Sequence, residues 1–296
     1  MRDTFSQFHP LVNFAYFIAV LLFSMFFMQP ACLIIAVVAS TAYAIYLNGR
    51  KAVAFSLKFM LPMFLIAAVV NPAFNHRGVT ILSYLPSGNP LTLESIIYGI
   101  AAGVMLISVI QWFACYNVVI TSDKFIYLFG RIIPALSLVI SMTLRFVPKF
   151  TSQLKVVRNA QRCIGRDISN GSNVQRVKNA IKILSIMITW SLENAIETAD
   201  SMKSRGYGLP GRTAFSIFKF EKRDGIALLA IFICSAFIIT GKVCGLIDWS
   251  YYPMMMGSGF SVLSVIVYVV YALLCLMPLI INIKEDYKWK RLKSEI

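Results

Sequence analysis

The chain has 296 residues, of which 58% are hydrophobic and only 14% are charged. This composition excludes an ordinary soluble protein of this length and predicts an integral membrane protein. The net charge of +15 does not point to a nucleic-acid partner, because the basic residues lie between and after apolar runs. Cytoplasmic loops of membrane proteins carry their basic residues in these places, so the charge indicates orientation in a lipid bilayer.

Apolar runs fill most of the first 121 residues. A helix of about 20 apolar residues crosses the hydrocarbon core of a bilayer. Residues 4–49 contain no Asp, Glu, Lys or Arg, and Gln29-Pro30 interrupts them. Four spans are therefore predicted, at about residues 11–28, 31–47, 59–74 and 95–119. Arg50, Lys51 and Lys58 predict a short cytoplasmic loop between the second span and the third.

Turn-forming residues dominate residues 71–94, with one short alternating run. This pattern predicts an external connection with a small hairpin. Further along, residues 249–259 predict a second external turn between a fifth span at 225–239 and a sixth at 260–283. Lysines and an arginine follow the sixth span, so both termini are expected in the cytoplasm.

The middle of the chain differs from both ends. In residues 122–148 charged residues and prolines interrupt apolar sequence, as at a membrane interface or beside a partner. Residues 151–223 hold 13 of the 28 basic residues and only 5 acidic ones, which places them in the cytoplasm. We therefore expect an all-α membrane protein in three parts: spans 1–4 in residues 1–121, coupling helices in 122–223, and two further spans with a basic tail in 224–296.

One amphipathic helix of about 30 residues is predicted before Gly206. Its apolar residues recur at steps of three and four: Val177, Ile181, Leu184, Ile188, Leu192, Ala195, Ala199 and Met202. Gly206 can adopt the left-handed conformation that ends a helix, and Pro210 follows. Arg205 then stands at the tip of an apolar stripe.

A shorter stripe of the same kind ends at Gly165, and comprises Phe150, Leu154, Val157, Ala160 and Ile164. In both stripes an arginine stands near the closing glycine. One interpretation is simple helix capping, in which a cation complements the helix dipole. The other is docking, because an apolar helix with an arginine tip suits a groove that contains acids.

Four motifs carry a resemblance to a known family. They are Asn71-Pro72-Ala73-Phe74-Asn75-His76-Arg77-Gly78 with Thr92-Leu93-Glu94, then Arg145-Phe146-Val147-Pro148, then Ala160-Gln161-Arg162-Cys163-Ile164-Gly165, and finally Ser201-Met202-Lys203-Ser204-Arg205-Gly206-Tyr207-Gly208. In this order and spacing they resemble the transmembrane T component of energy-coupling factor (ECF) transporters, a class of ABC importers for vitamins and metal ions.

The resemblance implies a scaffold that couples two cytoplasmic ATPase subunits to one or more substrate-binding membrane proteins, the S components. The implied docking residues are Arg205, Gly206, Met202, Ser204, Tyr207, Ala160, Gln161, Arg162 and Gly165. The implied contacts with an S component are Phe125, Leu128, Ile132, Leu136 and Ile140. The chain itself would bind no cofactor, metal or nucleic acid, while ATP and Mg²⁺ would sit on the ATPases of a prokaryotic plasma membrane complex.

The motifs also depart from the family pattern. The first arginine motif usually reads Ala-Arg-Gly or Ala-Arg-Ser, but here isoleucine stands where arginine is expected. Either Arg162 or Arg166 could serve instead. In the second motif Ser204 replaces alanine and Lys203 replaces a frequent glutamate, whereas Arg205 and Gly206 agree with the pattern.

Other functions fit the sequence less well. A membrane enzyme would need a cluster of acid, base, nucleophile or metal ligands, but the predicted spans carry no charged side chain and His9 lies far from His76. No G-x-x-x-x-G-K-[ST] loop is present to bind ATP. A stand-alone secondary transporter would show buried charges or repeated broken spans. A dedicated cobalt or nickel importer remains an alternative to a vitamin importer.

Overall fold

The computed structural model describes residues 3–84, 89–130, 134–166, 172–207, 218–257 and 261–294, together with residues 169, 209 and 259. Within these residues the protein is helical apart from two short hairpins. The helices are α1 Pro10–Phe26, α2 Pro30–Asn48, α3 Arg50–Phe55, α4 Leu61–Phe74, α5 Leu93–Val119, α6 Ser122–Gly130, α7 Pro134–Cys163, α8 Asn173–Ser204, α9 Lys222–Val243 and α10 Val262–Ser294.

Five helical segments of the described chain are long and apolar enough to cross a membrane. They are Pro30–Asn48, Arg50–Phe74, Leu93–Val119, Lys222–Val243 and Val262–Lys293. The predicted all-α polytopic membrane protein is therefore confirmed. The first predicted span corresponds to α1, which has only 17 residues. At 1.5 Å per residue it measures about 25 Å, less than the roughly 30 Å of a bilayer core.

The predicted loop at residues 50–58 is wrong. The chain turns once at Gly49, where φ is 56°, and then runs helically through α3, a π-helical turn at Ser56–Met60, and α4. No proline or glycine separates Arg50 from Met60. A long lysine side chain can follow apolar surface to reach water, so Lys58 does not break the helix.

Close helix packing and buried aromatic rings hold the membrane helices together. Gly99 and Gly103 allow α5 to approach α4, since a Cβ at Gly103 would lie 2.7 Å from the Phe64 ring. Small residues four apart are the usual means of such an approach in membranes. Trp112 of α5 is fully buried and packs edge-on against Tyr16 of α1, with ring centroids 6.1 Å apart.

The small hairpin predicted in residues 71–94 is present. Strand β1 (Ile81–Tyr84) pairs antiparallel with β2 (Pro90–Thr92), and Ile81 lies opposite Thr92. Two-residue strands β3 (Trp249–Ser250) and β4 (Met256–Gly257) form a second hairpin between α9 and α10. Both hairpins lie within connections that the sequence predicts to be turns.

The chain forms two compact units. The membrane unit comprises Met1–Phe125 and Phe218–Ile296, and the helical unit comprises Ile126–Ile217. The helical unit contains α7 and α8, which include the two predicted arginine motifs. The division into three parts that the sequence suggests, at residues 1–121, 122–223 and 224–296, stays a prediction.

Candidate docking surface on the helical unit

The two long helices of the helical unit pack through one aromatic and polar cluster. The rings of Phe150 in α7 and Trp190 in α8 meet edge-on, with centroids 5.5 Å apart. Lys149 donates a hydrogen bond of 3.0 Å to the Asn194 side-chain oxygen, and its ammonium lies 5.7 Å from the centre of the Trp190 ring. These contacts fix how α7 lies along α8, and sequence reasoning did not identify Trp190 or Asn194.

The end of α8 has the geometry predicted for it. Gly206 adopts φ of 77°. The Tyr207 amide donates to the Met202 carbonyl at 3.0 Å, and the Gly206 amide donates to the Lys203 carbonyl at 3.0 Å. This pair of bonds is a Schellman cap, and it places Arg205 at the C-cap, directly after the last residue of α8, with an exposed side chain.

The end of α7 has the same cap. Gly165 adopts φ of 78°, the Arg166 amide donates to the Gln161 carbonyl at 2.9 Å, and the Gly165 amide donates to the Arg162 carbonyl at 3.0 Å. Counting from the glycine, the residue in the place of Arg205 is Ile164, which is 64% exposed. Arg162 and Arg166 lie on either side of that position, so neither reproduces the place of Arg205.

The cap alone does not identify a docking site. At the end of α9 in the membrane unit, Gly245 has φ of 74°, and the amides of Leu246 and Gly245 donate to the carbonyls of Gly241 and Lys242. Helices end this way in general. Any specific function at α7 and α8 must therefore come from the exposed side chains beside their caps.

The apolar stripe of α8 is exposed, because a different face of the helix packs within the unit. Ile183 and Asn179 are buried, and Trp190 and Asn194 are half-buried. The large stripe residues are between 52% and 61% exposed, namely Val177, Ile181, Leu184, Ile188 and Leu192. Nearby Ile196 is 65% exposed. A continuous apolar face of this size is typical of an interaction surface.

The shorter apolar stripe on α7 is partly packed within the helical unit and partly exposed. Val157 is buried and Phe150 is half-buried against α8, whereas Leu154 and Ile164 are exposed. Pro148 lies inside α7 and does not end it. The helix therefore continues unbroken from Pro134 to its cap and carries exposed apolar groups to its tip.

Comparison with known proteins assigns the chain to a family. The family described as "CbiQ: Cobalt transport protein" matches residues 3–215. The chain belongs to the CbiQ family. The predicted family resemblance is therefore confirmed, and the match includes both α7 and α8.

Several relatives of this CbiQ-family chain carry the name "Energy-coupling factor transporter transmembrane protein EcfT". One from Lactobacillus helveticus is 40% identical over 94 residues, which cover 31% of this chain and 34% of the relative. One from Lactococcus lactis is 33% identical over 105 residues, covering 35% and 40%. One from Acidaminococcus fermentans is 31% identical over 165 residues, covering 51% and 62%.

The aligned part of the chain thus spans between 34% and 62% of the length of these three relatives. Their names and the family description refer to transport and to transmembrane proteins rather than to ATPases, in agreement with the prediction that this chain is not itself an ATPase. The CbiQ-family chain is a multi-pass membrane protein.

The predicted S-component contacts are placed only in part. Phe125 is exposed, and Leu128 and Ile140 are half-buried. Ile132 lies outside the described residues, and Leu136 is described only by its helical backbone in α7. In this CbiQ-family chain the roles of these residues and of the docking residues remain predictions. Among the residues that the structure describes, no three His, Cys, Asp or Glu side chains form a group that could hold a metal ion.

Proposed function

We propose that this chain is the transmembrane coupling component of an energy-coupling factor importer. The ends of α7 and α8 dock on two cytoplasmic ATPase subunits, which bind the ATP and Mg²⁺ that this chain does not. ATP-driven movement of those subunits is transmitted to a substrate-binding S component in the same prokaryotic plasma membrane. The family match over residues 3–215 and the names of the relatives support this proposal.

The end of α8 is the observation that carries the docking part of the proposal. The Schellman cap holds Arg205 exposed at the tip of a helix whose apolar face is uncovered. A guanidinium pairs with carboxylates through two parallel hydrogen bonds, and the apolar face supplies buried area beside them. An acidic groove on an ATPase subunit matches both features.

The cargo is a vitamin or another micronutrient in our proposal. The family description favours cobalt as one candidate, whereas the relatives' names specify no cargo. In the proposed mechanism the S component selects the cargo. Uptake of labelled riboflavin, folate, biotin, cobalt and nickel by cells that express this chain with its co-purifying partners distinguishes a shared vitamin importer from a dedicated metal importer.

Affinity purification with charge-reversal variants tests the docking. Arg205→Glu places a carboxylate against the acids of the groove, so we expect loss of the co-purified ATPases while the chain still inserts in the membrane. Lys182→Glu is the matched control, because Lys182 is also exposed on α8 but lies far from the cap. Equal recovery of ATPases with both variants contradicts the docking role of Arg205.

A further inference from the structure

Residues 3–9, which we call the clasp segment, contact both places where the chain passes between the two units. The chain leaves the membrane unit after Phe125 and returns to it at Phe218. Lys124 lies immediately before the first crossing, and Asp224 lies six residues after the second. All the contacts described below lie within the membrane unit.

At the first crossing, Lys124 is only 6% exposed. Its ammonium donates to the carbonyl of Ser6 in the clasp segment, and to the carbonyl of Val119 at 2.9 Å. The Asn13 side-chain amide is oriented with its oxygen towards the Lys124 ammonium, at 3.0 Å. The opposite orientation would place the amide NH₂ donor against the NH₃⁺ donor of Lys124. Three oxygens thus match the three donors of a lysine.

The charges around Lys124 are consistent with this set of three acceptor oxygens. Burial lowers the pKa of the Lys124 ammonium below its usual value, and the nearby carboxylate of Asp3, in the clasp segment, opposes part of this shift. A buried cation without hydrogen-bond partners is costly, so an ammonium is retained at such a place only with oxygens around it.

At the second crossing, the clasp segment contacts the start of α9. The His9 backbone amide donates at 3.0 Å to a carboxylate oxygen of Asp224, a residue that is 1% exposed. The His9 ring meets the Phe220 ring edge-on at 5.2 Å. The Arg223 guanidinium lies 5.2 Å from the centre of the Phe8 ring. One polar and two aromatic contacts therefore bind the returning chain to the clasp segment.

The clasp segment is itself anchored in the membrane helices. Asn282 of α10 is fully buried, and its side chain accepts from the Phe5 amide at 3.0 Å and donates to the Asp3 carboxylate at 2.6 Å. The Tyr43 hydroxyl of α2 donates to the same carboxylate at 3.2 Å. Phe5 is fully buried and packs edge-on against Tyr16 of α1.

We propose that the clasp segment is the positioning device through which the helical unit acts on the membrane helices. The same short segment binds the chain beside both crossings, with Lys124 and Asp224 as positioning residues. Because α1, α2 and α10 all contact this segment, a displacement of either crossing reaches three membrane helices at once. This inference rests on the proposed coupling function.

Hydrogen–deuterium exchange of the full chain tests the inference without any partner. In Lys124→Met we expect roughly tenfold faster exchange in residues 3–9, since a buried hydrogen bond to a charged group is lost there. Exchange should also rise in residues 218–224, none of which is among the described hydrogen-bond acceptors of the Lys124 ammonium. This effect on the second crossing is the specific readout, because local damage around Lys124 would leave it unchanged.

Two further variants complete the experiment. Lys222→Met is the matched control, since Lys222 is exposed beside the second crossing, and its exchange pattern should equal that of the parent chain. If Lys124→Met does not fold, Asn13→Leu removes one of the three oxygens and should give a smaller change at the same two places. Unchanged exchange in residues 218–224 in a folded Lys124→Met or Asn13→Leu chain overturns the inference.

The same variants in the purified complex separate this inference from the proposed function. With Lys124→Met we expect the ATPases to co-purify normally and to hydrolyse ATP, while uptake of the labelled cargo per ATP hydrolysed falls about tenfold. An unchanged ratio of cargo uptake to ATP hydrolysis contradicts only the proposed role of the clasp segment. Absence of ATPases from the parent complex overturns the proposed function instead.

Discussion

Ile164 and Arg205 occupy the same position of two helix caps with the same hydrogen bonds. Each precedes a glycine with φ near 78°, and each is exposed at the end of its helix. The two tips therefore differ in chemistry while they agree in backbone geometry. If both dock on ATPase subunits, as we propose, the residue before the glycine contributes apolar area at the α7 tip and a charge at the α8 tip.

The difference between the tips predicts different salt dependence of docking. Arg205→Ile should weaken ATPase binding and reduce its sensitivity to salt, because screening acts on charged contacts. Ile164→Ala should weaken binding with the salt sensitivity retained, since removal of buried apolar area is not screened. Binding of purified ATPases to the chain in nanodiscs, measured across a salt series, checks both. Parallel salt slopes for the two variants contradict the assignment.

The caps themselves predict the effect of adding a side chain at the glycines. Gly165→Ala and Gly206→Ala each force an L-residue into the left-handed region, at a cost of about 1 kcal/mol. A Cβ at Gly206 would also lie 3.2 Å from the Leu209 side chain, whereas nothing lies within 4 Å at Gly165. We expect the larger loss of ATPase binding and of thermal stability for Gly206→Ala.

Asparagine provides the control for this pair, because it tolerates the left-handed conformation better than alanine does. Gly206→Asn should therefore retain more ATPase binding than Gly206→Ala. The reverse order would show that the conformation of the cap is not what docking requires.

Two exposed cysteines allow the predicted orientation to be measured on the natural sequence. Cys163 ends α7, and Cys244 follows α9. Cytoplasmic placement of the helical unit puts Cys163 inside, and the length of α9 then puts Cys244 outside. A membrane-impermeant maleimide should label Cys244 in right-side-out vesicles and Cys163 in inverted vesicles. The variants Cys163→Ser and Cys244→Ser identify which cysteine carries the label in each type of vesicle. Labelling of both cysteines from the same side of the membrane contradicts the topology.

His9 predicts a pH dependence of stability in the membrane unit. Its side chain accepts from the Leu11 amide at 3.3 Å and so caps α1, and burial lowers its pKa below 6.5 although Asp224 opposes the shift. The unfolded chain then binds a proton more readily than the folded one, so stability is complete above about pH 6.5 and falls as the pH drops towards the lowered pKa. Thermal unfolding in detergent between pH 7.5 and 5, roughly the titration range of histidine, measures this loss.

His9→Gln is the control for the pH series. A glutamine side chain retains an acceptor and does not titrate in this range, so its unfolding temperature should vary less with pH than that of the parent chain. An equal loss in both chains assigns the pH dependence to other groups.

The apolar runs were sufficient to predict the membrane helices, because a bilayer demands a fixed length of apolar helix. They were not sufficient to predict how residues 50–60 fold. There the sequence suggested a loop from three basic residues, but these side chains can reach water from a helix, and the structure continues the helix through a π turn. Charge alone does not decide between a loop and a helix.

The helix ends were also predictable, since Gly165 and Gly206 follow regular apolar stripes. The packed face of α8 was not. The most apolar stripe is exposed, and the buried face contains Asn179, Ile183 and Trp190. A hydrophobic pattern shows which face of a helix avoids water, but not whether the same chain or a partner covers that face.

By itself, the sequence determined the membrane class, the approximate spans, the two helix ends and the family resemblance, because each depends on residues close together along the chain. The tertiary structure alone decided which face of α8 is packed and how the clasp segment is bound. Asp3 and Asn282 are 279 positions apart, yet they share a hydrogen bond of 2.6 Å. Such a pair has no local pattern in the sequence, since only the packing of α10 beside residues 3–9 brings the two side chains together.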